Sequence, residues 1–90
     1  MSPDPAPVRV DGRGLRCPLP VIRLAAAARD LPAGSVLEVL WTDPAARHDV
    51  PAWARMRHHE VLRTRQLDDG AWGTTVRLGG AARPGAAPSP

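Results

Sequence analysis

The chain has 90 residues, which is enough for one domain with a single hydrophobic core. Its hydrophobic fraction of 43% and charged fraction of 23% exclude a collagen-like repeat and a wholly disordered chain. The net charge at pH 7 is only +3, although every basic residue is an arginine, so composition argues against direct binding of nucleic acid.

Cys17 is the only cysteine, which excludes a disulfide framework within one chain. The apolar stretches are too short to cross a bilayer, and no charged start is followed by an apolar secretory segment. We therefore expect a protein of the reducing cytoplasm that has no membrane partner.

The ends of the chain differ in composition from its middle, because proline, glycine and alanine dominate both of them. Such segments cannot bury enough apolar area to offset the loss of chain entropy. We predict a disordered N-terminal tail over residues 1–7, a folded domain over residues 8–78 and a disordered C-terminal tail over residues 79–90.

The first half of the domain predicts a strand, a helix and a second strand. Val8 to Asp11 alternates apolar and polar residues, which is typical of a short strand. Apolar residues at helical spacing predict a helix from Pro18 to Leu31. Ser35 to Trp41 is almost continuously apolar and predicts a central strand.

The second half predicts a helix followed by a hairpin. Because Pro51 would lie inside one long helix, we predict a turn over residues 44–47 and a helix from about Val50 to His58. Strands are predicted from Val61 to Leu67 and from Trp72 to Leu78, joined by an Asp-Asp-Gly turn.

This order of elements predicts a mixed fold of the α/β (α+β) class. Right-handed crossovers place both helices on one face of the sheet. The result is a two-layer βαβαββ sandwich with a four-stranded mixed sheet and one open sheet face. Strand alternation places Arg9, Arg63, Arg65 and Arg77 on that open face.

Cys17 is the candidate reactive residue, because it lies at or next to the N-cap of the first predicted helix. The helix N-terminus and the neighbouring Arg16 favour a thiolate, and Gly14 allows the sharp turn that exposes it. Pro18 and Pro20 remove amide donors near the sulfur, so we expect a moderately lowered pKa. The alternative is a buried structural cysteine.

Other polar and aromatic residues support simpler interpretations. His58 and His59 are adjacent at a helix end, which favours cations at the helix C-terminus over a metal site. Three tryptophans follow apolar periodicities and are interpreted as core, with a base-stacking platform as the alternative: Trp41, Trp53 and Trp72. We expect no metal and no cofactor, and no catalytic set for hydrolysis is evident.

The run from Asp11 to Pro20, Asp-Gly-Arg-Gly-Leu-Arg-Cys-Pro-Leu-Pro, resembles the signature of the TusA (SirA-like) sulfur carrier family. That signature places a Cys-Pro-x-Pro motif at the start of the first helix. A second block, made of Asp43-Pro44, Asp49-Val50-Pro51 and His59-Glu60, is also similar to the family pattern. The resemblance extends over residues 8–78.

The resemblance implies a persulfide carrier, a sulfurtransferase-type relay more than a stand-alone enzyme, with Cys17 as the sulfur acceptor. It implies a cysteine desulfurase or a rhodanese as donor and a downstream acceptor protein in tRNA thiolation, molybdenum cofactor maturation or sulfur oxidation. The lone cysteine agrees with this, since no intramolecular disulfide can resolve the sulfur adduct.

A different class of function is left open by the arginine content. An RNA-binding or regulatory adaptor module would use Arg63, Arg65 and Arg77 on the open sheet face and keep Cys17 as a structural residue. Charge reversal of these three arginines separates the two hypotheses, since RNA binding would depend on them and sulfur transfer would not.

Overall fold

The computed structural model describes residues 6–79. Six elements follow in chain order: β1 (Val8–Gly12), α1 (Leu19–Arg29), β2 (Val36–Trp41), α2 (Ala46–Met56), β3 (Glu60–Gln66) and β4 (Trp72–Arg77). The predicted tails lie outside the described residues except at residues 6, 7 and 79, so their disorder stays a prediction.

The four strands form one mixed sheet in the order β1-β2-β4-β3. β1 and β2 are parallel, and β4 is antiparallel to both β2 and β3. Both helices pack on the same face of the sheet and against each other. The predicted two-layer α+β architecture is therefore confirmed, and β4 occupies the central position between β2 and β3.

The core lies between the sheet and the helix layer. Leu24 of α1, Val50 of α2 and Val39 of β2 are completely buried there. Trp41 and Trp53 are buried as predicted. Trp72 is half-buried and stacks on Trp41 with ring centroids 5.8 Å apart, at the edge where β2 ends.

The predicted start of α2 is wrong, because the helix begins at Ala46 and contains Pro51. A proline at the sixth helical position removes one backbone hydrogen bond, the one to the carbonyl of Arg47. Arg47 is exposed, so water can satisfy that carbonyl. Burial of Ala46, Val50 and Trp53 against the core then stabilises the helix through the proline.

The end of α2 also differs from prediction, because the helix stops at Met56. His58 has a φ of 63°, and the N–H of His59 donates to the carbonyl of Ala54 at 2.7 Å. This is a Schellman-type cap with histidine at the position where glycine is usual.

The His59 imidazole is an internal contact and not a helix-terminal cation. Its ring lies 5.0 Å from that of Trp53, and its Nδ1 accepts the N–H of Gly79 at 3.0 Å. Burial, together with the nearby charge of Arg57, holds the pKa of His59 below its ordinary value. The interpretation of His59 as a favourable cation is therefore wrong.

We expect the protein to lose thermal stability as the pH falls below about 6.5, because His59 in the unfolded chain then binds a proton that the folded chain resists. The stabilisation is complete above the unfolded pKa and is lost as pH falls through the lower folded pKa. His59→Asn keeps an acceptor for the N–H of Gly79. In this variant the melting temperature should depend less on pH between pH 7.5 and about 5. His48→Asn, at an exposed position on α2, is the control. An unchanged slope in His59→Asn would contradict this assignment.

Candidate functional site

The loop between β1 and α1 is shaped by two glycines. A Cβ on Gly12 would lie 2.8 Å from the carbonyl oxygen of Leu40 and 2.9 Å from Cβ of Pro20, so the chain passes too closely for a side chain. Gly14 has a φ of +78°, which gives the sharp turn predicted from the sequence. Its N–H donates to Oγ1 of Thr42 at 2.9 Å, which ties this loop to the one that follows β2.

Asp43 joins the same two loops through both carboxylate oxygens. Oδ2 accepts the N–H of Cys17 at 2.9 Å, and Oδ1 accepts the N–H of Ala45 at 3.0 Å. These hydrogen bonds hold the pKa of Asp43 below its ordinary value. Asp43, interpreted from the sequence as a helix cap that can orient the loops beside Cys17, thus holds the backbone of that residue directly.

Cys17 lies one residue before the N-cap Pro18, half-buried and packed against the edge of the core. The N–H of Leu19 donates to the carbonyl of Arg16 at 2.9 Å. Pro20 is fully buried at the second helical position and anchors the start of α1. The predicted placement of the cysteine at the helix start is confirmed.

The predicted lowering of the Cys17 pKa is wrong for the free chain. Burial raises the pKa of the thiol to about 11, and the Asp49 carboxylate facing the thiol and the Asp43 charge act in the same direction. Arg16 is exposed, and its charge acts on Asp43. Burial and two carboxylates thus disfavour the thiolate, and Arg16 is not among the groups that act on it, so its predicted role as a thiolate stabiliser has no support in the structure.

Asp49 is the site residue whose role the sequence did not reveal. It lies in the first turn of α2, a turn that the predicted helix start placed outside the helix. The sequence placed it in the second block of family-like residues and favoured a helix cap that can orient the loops beside Cys17, with no sign of a direct effect on the thiol. The remaining predicted residues, Gly14, Pro18 and Pro20, shape the turn and the start of α1.

Comparison with known proteins agrees with this arrangement of loop, cysteine and helix. A family model described as Sulfurtransferase TusA matches residues 8–78, which is nearly all of the described chain. The chain belongs to the TusA family of sulfur carriers. The matched segment includes Cys17 and both aspartates that face it.

Individual relatives support the assignment. The sulfur carrier protein TusA of Pseudomonas syringae is 41% identical over 63 residues, which are 70% of this chain and 74% of that protein. A longer Bacillus subtilis protein, YrkF, is 41% identical over 59 residues, which are 66% of this chain but only 32% of YrkF. The crystal structure of a SirA-like protein from Desulfitobacterium hafniense matches with a TM-score of 0.70 at 29% identity. That match covers 80% of this chain and 97% of the other.

The open sheet face does not form the basic surface that an RNA-binding module requires. Glu38 is 2% exposed at its centre and pairs with Arg65 at 3.0 Å and with Arg9 at 3.4 Å. Arg77 pairs with Glu60. Near one end of this face Arg13 pairs with two more carboxylates, those of Asp11 and Asp69. Arg65 and Arg77, two of the three arginines assigned to the adaptor alternative, are thus paired with carboxylates, whereas Arg63 is exposed and forms no ion pair among residues 6–79. This pairing lowers the positive charge of the face and disfavours the adaptor alternative.

Among residues 6–79, no helix is long and apolar enough to span a bilayer. Nor does that part of the chain group three or more histidine, cysteine or acidic side chains in a way that could hold a metal ion.

We expect Asp49→Asn to lower the pKa of Cys17, because the substitution removes the negative charge that faces the thiol. The rate of alkylation by iodoacetamide near neutral pH should rise at least about threefold, since it follows the thiolate fraction. A pH series of alkylation rates gives the midpoint directly. Asp30→Asn, at the opposite end of α1, is the matched control. An unchanged midpoint in Asp49→Asn would show that Asp49 does not act on the thiol.

Proposed function

We propose that this chain accepts sulfane sulfur on Cys17 as a persulfide and passes it to an acceptor protein. The observation that carries the proposal is a single free thiol held at the start of α1 by Asp43, within a family of sulfur carriers. The donor is a cysteine desulfurase or a rhodanese, both of which present sulfur as a cysteine persulfide. The reducing cytoplasm suits such a carrier, because oxidising compartments convert lone reactive thiols to disulfides.

Loading is an exchange between two sulfur–sulfur bonds. The Cys17 thiolate attacks the outer sulfur of the donor persulfide, forms a new S–S bond and releases the donor cysteine as a thiolate. The proton carried by the outer sulfur stays with it, so no external oxidant or reductant is needed. Delivery repeats the same displacement, with a nucleophile of the acceptor attacking the outer sulfur and Cys17 leaving.

The raised pKa of Cys17 explains why such a carrier keeps its cargo. In the free chain the thiol stays protonated near neutral pH, which makes it a poor nucleophile toward stray disulfides. Once Cys17 is loaded, the same carboxylates make it a poor leaving group, so small thiols remove the sulfur slowly. A partner that offsets the charges of Asp49 and Asp43 would speed both loading and delivery.

A docking surface for such a partner lies beside the thiol. Leu19 and Ile22 on the outer side of α1 are 47% and 55% exposed, and Arg16 and Arg23 are exposed close to them in the sequence. Exposed apolar side chains next to a reactive group favour a protein partner over bulk solvent. We therefore assign donor docking to the Cys17 end of α1, and not to the open sheet face with its paired arginines.

We expect Cys17→Ser to keep the fold and to abolish sulfur loading. The side chain is half-buried at an element end, so its loss should change the free energy of unfolding by less than about 1 kcal/mol. Mass spectrometry after incubation with a cysteine desulfurase and free cysteine should show one added sulfur atom in the wild type only. The added mass should disappear on reduction. Loading of Cys17→Ser, or no loading of the wild type by several donors, would contradict the proposal.

We expect Ile22→Asp to slow loading by a desulfurase at least about tenfold, because a charge at the centre of an apolar contact must be desolvated there. Alkylation of Cys17 by iodoacetamide should be unaffected, which separates docking from thiol reactivity. Leu62→Asp, at a 40% exposed position on the edge strand β3, should load normally. Equal rates for Ile22→Asp and the wild type would place the docking surface elsewhere.

A further inference from the structure

A second concave surface lies at the end of the helix layer opposite Cys17. A cavity of about 780 Å³ opens between the C-terminal half of α1 and the end of α2. Ala28, Leu31, Trp53 and Leu78 provide an apolar floor, and Met56, which is 71% exposed, lines it as well. The eleven residues of α1 span about 16 Å, so an occupant of this groove leaves Cys17 free.

The charged residues of this groove differ from those of the open sheet face. Arg29 ends α1, and Arg57 follows α2, and both are exposed and line the cavity. Among residues 6–79 neither guanidinium takes part in an ion pair, whereas Arg9, Arg65 and Arg77 are paired. No acidic residue lines the cavity within that part of the chain. The groove thus combines an apolar floor with uncompensated positive charge.

We propose that this groove binds an acidic amphipathic segment of a partner protein. The apolar side chains of that segment fill the space over Trp53 and Leu31, and its carboxylates pair with Arg29 and Arg57. Arginine suits this role, because its planar guanidinium binds carboxylates in a two-pronged geometry. Met56 adapts to the shape of the occupant, since its unbranched thioether is flexible. The site would hold the protein on a partner while Cys17 exchanges sulfur elsewhere.

Other occupants match the groove less well. The segment after Gly79 contains a single charged side chain, Arg83, and no acidic side chain, so its charge does not complement the arginines. A second copy of this chain is a poorer match, because Glu38 and Glu60 already pair with arginines of its own open sheet face and are not free to bind the groove. Charge complementarity therefore favours an acidic segment of another protein.

The test uses the full chain carrying Cys17→Ser, labelled with ¹⁵N, and two synthetic peptides. One peptide is an amphipathic helix of leucine and glutamate, and the other has lysine in place of every glutamate. The glutamate peptide should shift the indole signal of Trp53 saturably, and the lysine peptide should not. Reversing both charges, with Arg29→Glu and Arg57→Glu, should weaken binding at least about tenfold. Arg63→Glu on the open face is the control and should bind like the parent.

Three results would overturn the proposal. The first is equal binding of both peptides, or binding that survives the double charge reversal. The second is a set of shifts confined to the Trp41 and Trp72 end of the molecule. The third is self-association in sedimentation experiments that the double charge reversal abolishes, which would make a second copy the occupant. None of these measurements uses sulfur transfer, so failure here is separate from failure of the carrier function.

Discussion

The two hydrogen bonds accepted by the Asp43 carboxylate hold the functional end of this molecule together. β1 and β2 are parallel neighbours, so their C-terminal ends meet at one edge of the sheet, and the loops toward α1 and α2 both leave from there. Asp43 accepts the N–H of Cys17 from one loop and the N–H of Ala45 from its own. The Asp43 side chain therefore fixes both the position of the thiol and the path toward α2, and the hydrogen bond from Gly14 to Thr42 supports the same arrangement.

The same proximity determines the chemistry of the thiol. An aspartate that positions the Cys17 backbone also brings a negative charge close to the sulfur, and Asp49 of α2 adds another. Burial of the thiol is the largest cause of its raised pKa, and these like charges disfavour the thiolate further. In the proposed function, this arrangement favours holding sulfur over rapid reaction, and activation is assigned to the partner proposed to dock beside the exposed Leu19 and Ile22.

Arginine has two distinct uses in this chain. On the open sheet face it neutralises a buried acid, since Glu38 would be strongly destabilising at 2% exposure without Arg65 and Arg9. In the helix layer, Arg16, Arg29 and Arg57 are exposed and form no ion pair among residues 6–79. Exposed apolar side chains lie close to them, Leu19 near Arg16 and Met56 in the groove with Arg29 and Arg57. These latter positions are where we place partner contacts, one next to Cys17 and one at the opposite end of the helix layer.

The sequence by itself determined the order of elements, the two-layer architecture, the turn at Gly14 and the place of Cys17, because each follows from local periodicity, turn chemistry or a short motif. Only the tertiary structure decided the central position of β4, the start of α2 and the direction of the Cys17 pKa. The register that pairs Glu38 with arginines of β1 and β3 also lies beyond local pattern. Packing against the core stabilises α2 as one helix that contains Pro51 and begins at Ala46. The first turn of that helix places Asp49 opposite a thiol that is 32 residues away in the sequence. Electrostatic interactions act through space, so the chemistry of this cysteine depends on residues that its own segment does not contain.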